Sequence, residues 1–201
     1  MPNKEEYNIL IFNQYFGSQL SWMFAGIEAT MTKKESFHTC ALALSTYTEI
    51  MGGLVTGNLK ESGESRKNYE AFLRYLGQKY VDLDNMIKTQ YPDRLKNLYS
   101  AVRSKLVHEF LLRESHFLVS YENPHDDKIG IELITNKTKL NETIQINFLI
   151  PEYYRDFKKG IENYKKHLVN SNELFARFIH ALAIRDFSST EGNKKTQQPK
   201  T

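Results

Sequence analysis

Cysteine is almost absent from this chain, and proline and glycine are few. Cys40 is the only cysteine among 201 residues, so no intrachain disulfide can form and no thiolate cluster can bind zinc. Ala41 and Leu42 follow it, and this apolar setting predicts a buried, unreactive thiol. With 5 Pro, 10 Gly, 12 Tyr and 12 Phe, the composition is typical of a helical protein with aromatic packing.

A long apolar run is also missing from the N-terminus. Lys4, Glu5 and Glu6 are charged, and Asn13 and Gln14 interrupt the apolar residues that follow. A membrane-spanning helix needs about 20 mostly apolar residues, and a signal peptide has an uninterrupted apolar segment. We therefore expect no membrane association and a cytoplasmic location.

Neither sign of charge is in large excess. Lys and Arg total 27 and Asp and Glu total 24, which gives a net charge of +3 and a pI of about 8.8. This balance only weakly favours an anionic partner. Dedicated nucleic-acid-binding domains often have a pI above ~9 and a visible basic stripe.

Apolar residues recur at helical spacing along most of the chain. The first such segment has apolar residues on two sides, so a long core or a second subunit is expected to cover both. The pattern predicts helices over 5–30, 34–54, 65–80, 82–90 (a short helix or a turn), 93–113, 151–169 and 172–187. Pro92 and Asp93 mark the expected start of the fifth helix.

The period changes to two between the fifth and sixth helices. Residues 116–121, 129–133 and 143–148 alternate in polarity or carry β-branched side chains, which predicts three strands. We expect a fold that is mainly α, an antiparallel helical bundle with a small three-stranded antiparallel insertion at about 115–150. One domain would cover 1–187, and the polar residues 188–201 would form a disordered tail.

Several kinds of site have no counterpart in the sequence. No glycine-rich phosphate loop follows a predicted strand, and no His-Glu-x-x-His run exists. No nucleophile elbow is present either. His125-Asp126-Asp127 lies in a predicted turn, where a solvated turn is a simpler interpretation than a metal site. We predict no metal and no cofactor.

Arg103 and His108 are five positions apart on the predicted helix 93–113. At about 100° per residue they lie about 140° apart around the axis, so one helix gives only a loose pair. A symmetric partner helix would bring two such sets into one cleft. Glu49 lies on a small, polar stripe of the second helix, where a buried carboxylate needs a partner such as arginine. The alternative is a surface arginine, a structural histidine and a solvated glutamate.

The segment Leu98-Tyr99-(x3)-Arg103-Ser104-Lys105-Leu106-Val107-His108-Glu109 resembles the R-x4–6-H signature of the HEPN superfamily (higher eukaryotes and prokaryotes nucleotide-binding domains). The setting agrees, because the motif is on a late helix of a bundle, after a helix that carries an acidic residue, here Glu49. The resemblance covers mainly residues 35–115. The family usually has Asn, Asp or His directly after the arginine, whereas this chain has Ser104.

The resemblance implies metal-independent RNA cleavage by a homodimer. His108 would be the general acid or base, Arg103 would bind the phosphate, and Ser104 would be a polar helper. Glu49 would orient Arg103 or His108, an inference from the polar stripe. Many members act as toxins or in phage defence, which implies an antitoxin or activating partner. One alternative is a non-catalytic module for dimerisation or for nucleotide or RNA binding, and another is an interaction module for a larger assembly that uses the aromatic-rich first helix. Ser104 and the modest charge favour these two alternatives.

Overall fold

The computed structural model describes residues 4–59, 61–108, 117–121, 127–137 and 142–194, and most of these are helical. The helices are α1 (Lys4–Gln14), α2 (Leu20–Met31), α3 (Phe37–Thr56), α4 (Ser65–Leu76), α5 (Gln78–Gln90), α6 (Lys105–His108), α7 (Ile150–Val169) and α8 (Asn172–Lys194). The strands are β1 (Phe117–Ser120), β2 (Ile131–Lys137) and β3 (Glu142–Leu149). The prediction of a mainly α fold with a small three-stranded sheet is confirmed. Within the described ranges, no helix has both the length and the apolar character to cross a membrane.

The first predicted helix is continuous but contains a π-helical segment. This segment, Tyr15–Gln19, joins α1 to α2. A π turn has more residues than an α turn, so apolar positions counted at α-helical spacing change face across it. Tyr15 is buried, whereas the apolar Ile9 of the same helix is 53% exposed.

Helices α3 and α4 approach each other closely at a glycine. A Cβ atom on Gly52 would lie 1.6 Å from the main-chain oxygen of Asn68, so only glycine fits there. The Asn68 side chain accepts a hydrogen bond from Thr56 Oγ1 (2.7 Å) and donates one to the Asn58 main-chain oxygen (2.9 Å). Gly57, at φ 85°, ends α3 in the left-handed conformation that favours glycine. These contacts fix the α3–α4 pair.

The helix that carries Arg103 begins later than predicted. Residues 91–97 form turns instead of the first helical turns expected after Pro92 and Asp93, and helical structure starts at Leu98. Asp84 accepts the main-chain N–H of Leu98 (2.7 Å), and Asn97 accepts that of Ser100 (2.8 Å). The proline signal was wrong because these two side chains satisfy the N–H groups of a later start.

The sheet is mixed, so the prediction of an antiparallel sheet was wrong in part. Its strand order is β1-β3-β2, with β2 antiparallel to β3 and β1 parallel to it. Strand β3 carries three alternating buried side chains, Ile144, Ile146 and Phe148, on the face that packs into the core. In the central position, this most buried strand forms hydrogen bonds along both of its edges. Strand β1 therefore lies along the edge of β3 opposite to β2.

Aromatic side chains of α7 fill the centre of the core. Tyr153, Phe157 and Tyr164 are fully buried, as is Cys40, whose burial was predicted. Burial raises the pKa of the Cys40 thiol, which keeps it protonated and unreactive. Helix α8 runs to Lys194, so the predicted tail is helical that far, and residues 195–201 lie outside the described part.

Candidate functional site

Arg103 lies on a second π-helical segment, Ser100–Ser104, which continues into α6. Ala101 and Val102 of this segment are buried, whereas Arg103 and Ser104 are half-buried. The segment therefore fixes its apolar residues in the core and presents the polar ones at its edge. Single π turns within α-helices are found frequently at functional sites.

Arg103 forms an ion pair with Glu49 of α3. Arg103 Nε donates to Glu49 Oε2 over 3.3 Å, and both side chains are 20% exposed. The structure thus brings together two of the four predicted site residues, and Glu49 has the arginine partner that its position on the polar stripe requires. The pair is shielded enough to hold the guanidinium in one place and open enough for a ligand to reach it.

The ion pair uses only one edge of the guanidinium. Among the residues that the structure describes, Glu49 is the only one that accepts a hydrogen bond from Arg103, and it does so from Nε. The two Nη atoms of an arginine carry four further N–H donors. They match the oxygen spacing of a phosphate or carboxylate, so a second anion can bind beside Glu49.

Three hydroxyl groups form a hydrogen-bonded cluster in the core, near enough to Arg103 for its charge to act on Tyr69. Tyr153 OH lies 2.8 Å from Thr48 Oγ1 and 3.2 Å from Tyr69 OH. Burial raises the pKa of Tyr69 to about 12, although the positive charge of Arg103 acts in the opposite direction. Tyr69 therefore stays protonated near neutral pH and is not a general base there.

His108 and Ser104 are placed only in part. Ser104 directly follows Arg103 and is half-buried, while His108 is the last residue of α6. The side chain of His108 lies outside the described part of the chain, so its place relative to Arg103 stays a prediction. The offset of about 140° assumed regular α-helix, and the π-helical segment changes that spacing.

A cavity of about 770 Å³, which the sequence did not predict, opens beside Glu49. Its wall includes the aromatic side chains of Tyr15, Trp22 and Tyr47 and the carboxylates of Glu49 and Glu61, and none of the described residues in it is a lysine or arginine. Trp22 is 83% exposed. The apolar second side of the first helix, with Tyr15 and Trp22, was the signal in the sequence for this surface.

Metal binding has no support in the part of the chain that the structure covers. No group of three or more His, Cys, Asp or Glu side chains among the described residues could hold a metal ion. His125 and Asp126 of the predicted turn lie outside those residues.

The chain matches no protein-family model, no curated protein and no solved structure. The site itself is a polar edge on a helical bundle, where Glu49 both pairs with Arg103 and lines a large cavity.

Proposed function

We propose that this protein is a metal-independent endoribonuclease of HEPN type that acts at a cleft between two copies of the chain. The observation that carries the proposal is the ion pair between Arg103 and Glu49. It joins the arginine of the R-x4–6-H motif to the acidic residue of an earlier helix. The pair supports phosphate binding because it orients the guanidinium and leaves its Nη donors for an anion.

In this reaction the RNA 2′-OH attacks the adjacent phosphorus, and the bond from phosphorus to the 5′-oxygen breaks. A 2′,3′-cyclic phosphate and a 5′-OH are the products, so no water and no metal are consumed. His108 takes the proton from the 2′-OH or gives one to the leaving oxygen. Arg103 stabilises the charge that develops on the phosphate, Ser104 adds a polar hydroxyl, and Glu49 positions Arg103.

A symmetric dimer completes this site. Two copies of His108 in one cleft supply a base and an acid at the same time, and two copies of Arg103 contact the same phosphate backbone. Such an enzyme suits a toxin or a phage-defence component, whose activity an antitoxin or an activating partner would control.

A non-catalytic HEPN-like module is the second candidate. The observation that favours it is the same ion pair, because Glu49 offsets the charge of Arg103 within 3.3 Å. Ser104, in place of the usual Asn, Asp or His, also favours it. Such a module would dimerise or bind a nucleotide or RNA and leave it intact.

Cleavage of mixed RNA in EDTA tests the catalytic proposal. We expect the wild type to produce 2′,3′-cyclic phosphate ends and His108→Ala to be slower by a factor of about 10² or more, because it loses proton transfer. His180→Ala is the matched control, since His180 is an exposed histidine on α8, and it should cleave like the wild type. RNA that is bound but not cleaved by the wild type would establish the second candidate instead.

The oligomeric state is tested separately by light scattering. We expect the mass of two chains at micromolar concentration, because a site of two Arg103–His108 sets needs both copies. A monomer at that concentration that still cleaves RNA would contradict the shared cleft.

A further inference from the structure

The cavity beside Glu49 has the size and composition of a small-ligand site. Its volume of about 770 Å³ lies within the range of about 300–1,000 Å³ that is common for such sites. Its wall is mainly apolar, with aromatic rings at Trp22 and Tyr47 and a small number of polar groups. A flat molecule with a few hydrogen-bonding groups matches this wall.

The charges along the wall restrict that ligand further. Among the residues of the wall that the structure describes, Glu49 and Glu61 are the charged ones, and both are acidic. An anion would be repelled, whereas a group rich in N–H donors would be bound. Oε2 of Glu49 already accepts from Arg103, but the Glu61 carboxylate accepts no hydrogen bond from any residue that the structure describes. Glu61 is therefore available to a ligand.

Glu49 belongs both to the ion pair with Arg103 and to the cavity wall, so the two sites suit different parts of one nucleotide. The guanidinium attracts the phosphate, and the acidic wall accepts only the uncharged base. Bases of single-stranded RNA are commonly bound by stacking on aromatic rings and by hydrogen bonds to their Watson–Crick edge. The rings of Trp22 and Tyr47 and the carboxylate of Glu61 provide both kinds of contact.

We propose that this cavity is a base-binding subsite that prefers guanine. Guanine has N1–H and N2–H₂ side by side on its Watson–Crick edge, and a carboxylate accepts two such donors at once, as it does from arginine. Uracil has two carbonyl oxygens beside its single N–H, and these oxygens would face the acidic wall. The proposal rests on the proposed function only in placing the phosphate of the same nucleotide at Arg103.

Trp22 makes the test direct, because it is the only tryptophan of the chain and lies in the cavity wall. The full-length protein is titrated with guanosine, adenosine, cytidine and uridine while its tryptophan fluorescence is recorded. These nucleosides carry no phosphate, so the signal does not depend on cleavage. We expect guanosine to change the fluorescence at a concentration about tenfold lower than the other three nucleosides.

Glu61→Gln should raise the dissociation constant of guanosine about tenfold. The carboxylate offers one oxygen to each of the two N–H donors of the base, whereas the amide offers one oxygen and places its NH₂ group against the second donor. Glu35→Gln is the matched control, an exposed glutamate outside the cavity wall, and should bind guanosine like the wild type. The selectivity of the wild type tests the proposal even where a variant folds poorly.

Equal affinity for the four nucleosides, no fluorescence change, or tighter binding of phenethylamine than of guanosine would each overturn the subsite. Failure of the proposed function looks different: guanosine binds selectively, and RNA is not cleaved. Cleavage of RNA by a protein that gives no response to guanosine overturns the subsite alone.

Discussion

Single buried hydroxyl groups differ in whether their hydrogen bonds are satisfied. Tyr153 OH is close to both Thr48 Oγ1 and Tyr69 OH, at 2.8 and 3.2 Å. Tyr164 OH is buried at the same depth, but it has no hydrogen-bond partner among the described residues. A buried polar group without a partner loses its contacts with water and gains none in return.

Replacing Tyr164 by phenylalanine should therefore stabilise the protein. We expect Tyr164→Phe to raise the free energy of unfolding by up to about 1 kcal/mol, because the ring stays and the unpaired hydroxyl is removed. Tyr153→Phe is the matched comparison and should lower it by about 1–3 kcal/mol, since it leaves Thr48 and Tyr69 with a lost partner. Urea unfolding measures both, and equal destabilisation by the two changes would contradict this account.

The residue scale also shows why part of the candidate site was predictable. Glu49 was expected to need an arginine, because a shielded carboxylate on a small, polar helix face is costly without one. The structure provides Arg103, which is 54 positions away. The spacing of motif residues could not show that the contact would use Nε and leave the opposite edge of the guanidinium open.

At the scale of elements, the packing of α3 on α4 depends on small residues. Ser45 and Gly52 lie on the same small, polar stripe of α3 as Glu49, and such small residues let the main chain of α4 approach closely at Gly52. Gly26, in α2, is different, since nothing lies within 4 Å of the position that its Cβ would take.

The same substitution should have opposite effects at these two glycines. Gly52→Ala places a methyl group 1.6 Å from a main-chain oxygen and forces α3 and α4 apart, so we expect a loss of about 3 kcal/mol of stability. Gly26→Ala should gain about 0.5–1 kcal/mol, because alanine loses less backbone entropy in a helix. Thermal or urea unfolding distinguishes them. A Gly52→Ala protein as stable as the wild type would show that the close approach is wrong.

Local signals failed at two elements for a common reason. Pro92 and Asp93 favour a helix start, but Asp84 and Asn97 cap a start at Leu98 instead. The alternating strands predicted a sheet but not its order, because strand order depends on which strand packs most deeply against the core. In each case a contact between distant residues overrode the local preference.

At the scale of the whole molecule, the core is rich in buried tyrosine. Burial raises the pKa of Tyr69 to about 12, and it raises those of Tyr80 and Tyr153 well above their ordinary value. Each tyrosine ionises near pH 10 in the unfolded chain but stays protonated to a higher pH in the folded protein. Between these two pKa values the folded state holds more protons than the unfolded state.

The protein should therefore lose stability in alkali. The contribution of these tyrosines is complete below about pH 10 and falls by about 1.4 kcal/mol per pH unit for each as pH rises towards the folded-state pKa. Urea midpoints measured from pH 8 to pH 11.5 should decline steeply above about pH 10. The urea midpoint of Tyr69→Phe should decline less steeply with pH. The midpoint of Tyr121→Phe, which changes an exposed position, should decline as that of the wild type does. A flat profile would show that the tyrosines are accessible to solvent.

The sequence by itself determined the helical class, the core faces of most helices, the burial of Cys40 and the need of Glu49 for a cation. These follow from apolar periodicity and from the cost of burying charge, which act over a few residues. Only the tertiary structure decided the strand order, the late start of the Arg103 helix, the pairing of Arg103 Nε with Glu49 and the cavity walled by Trp22 and Glu61. The physical reason is that these features join residues far apart in the chain, whose contacts form only when the elements pack together.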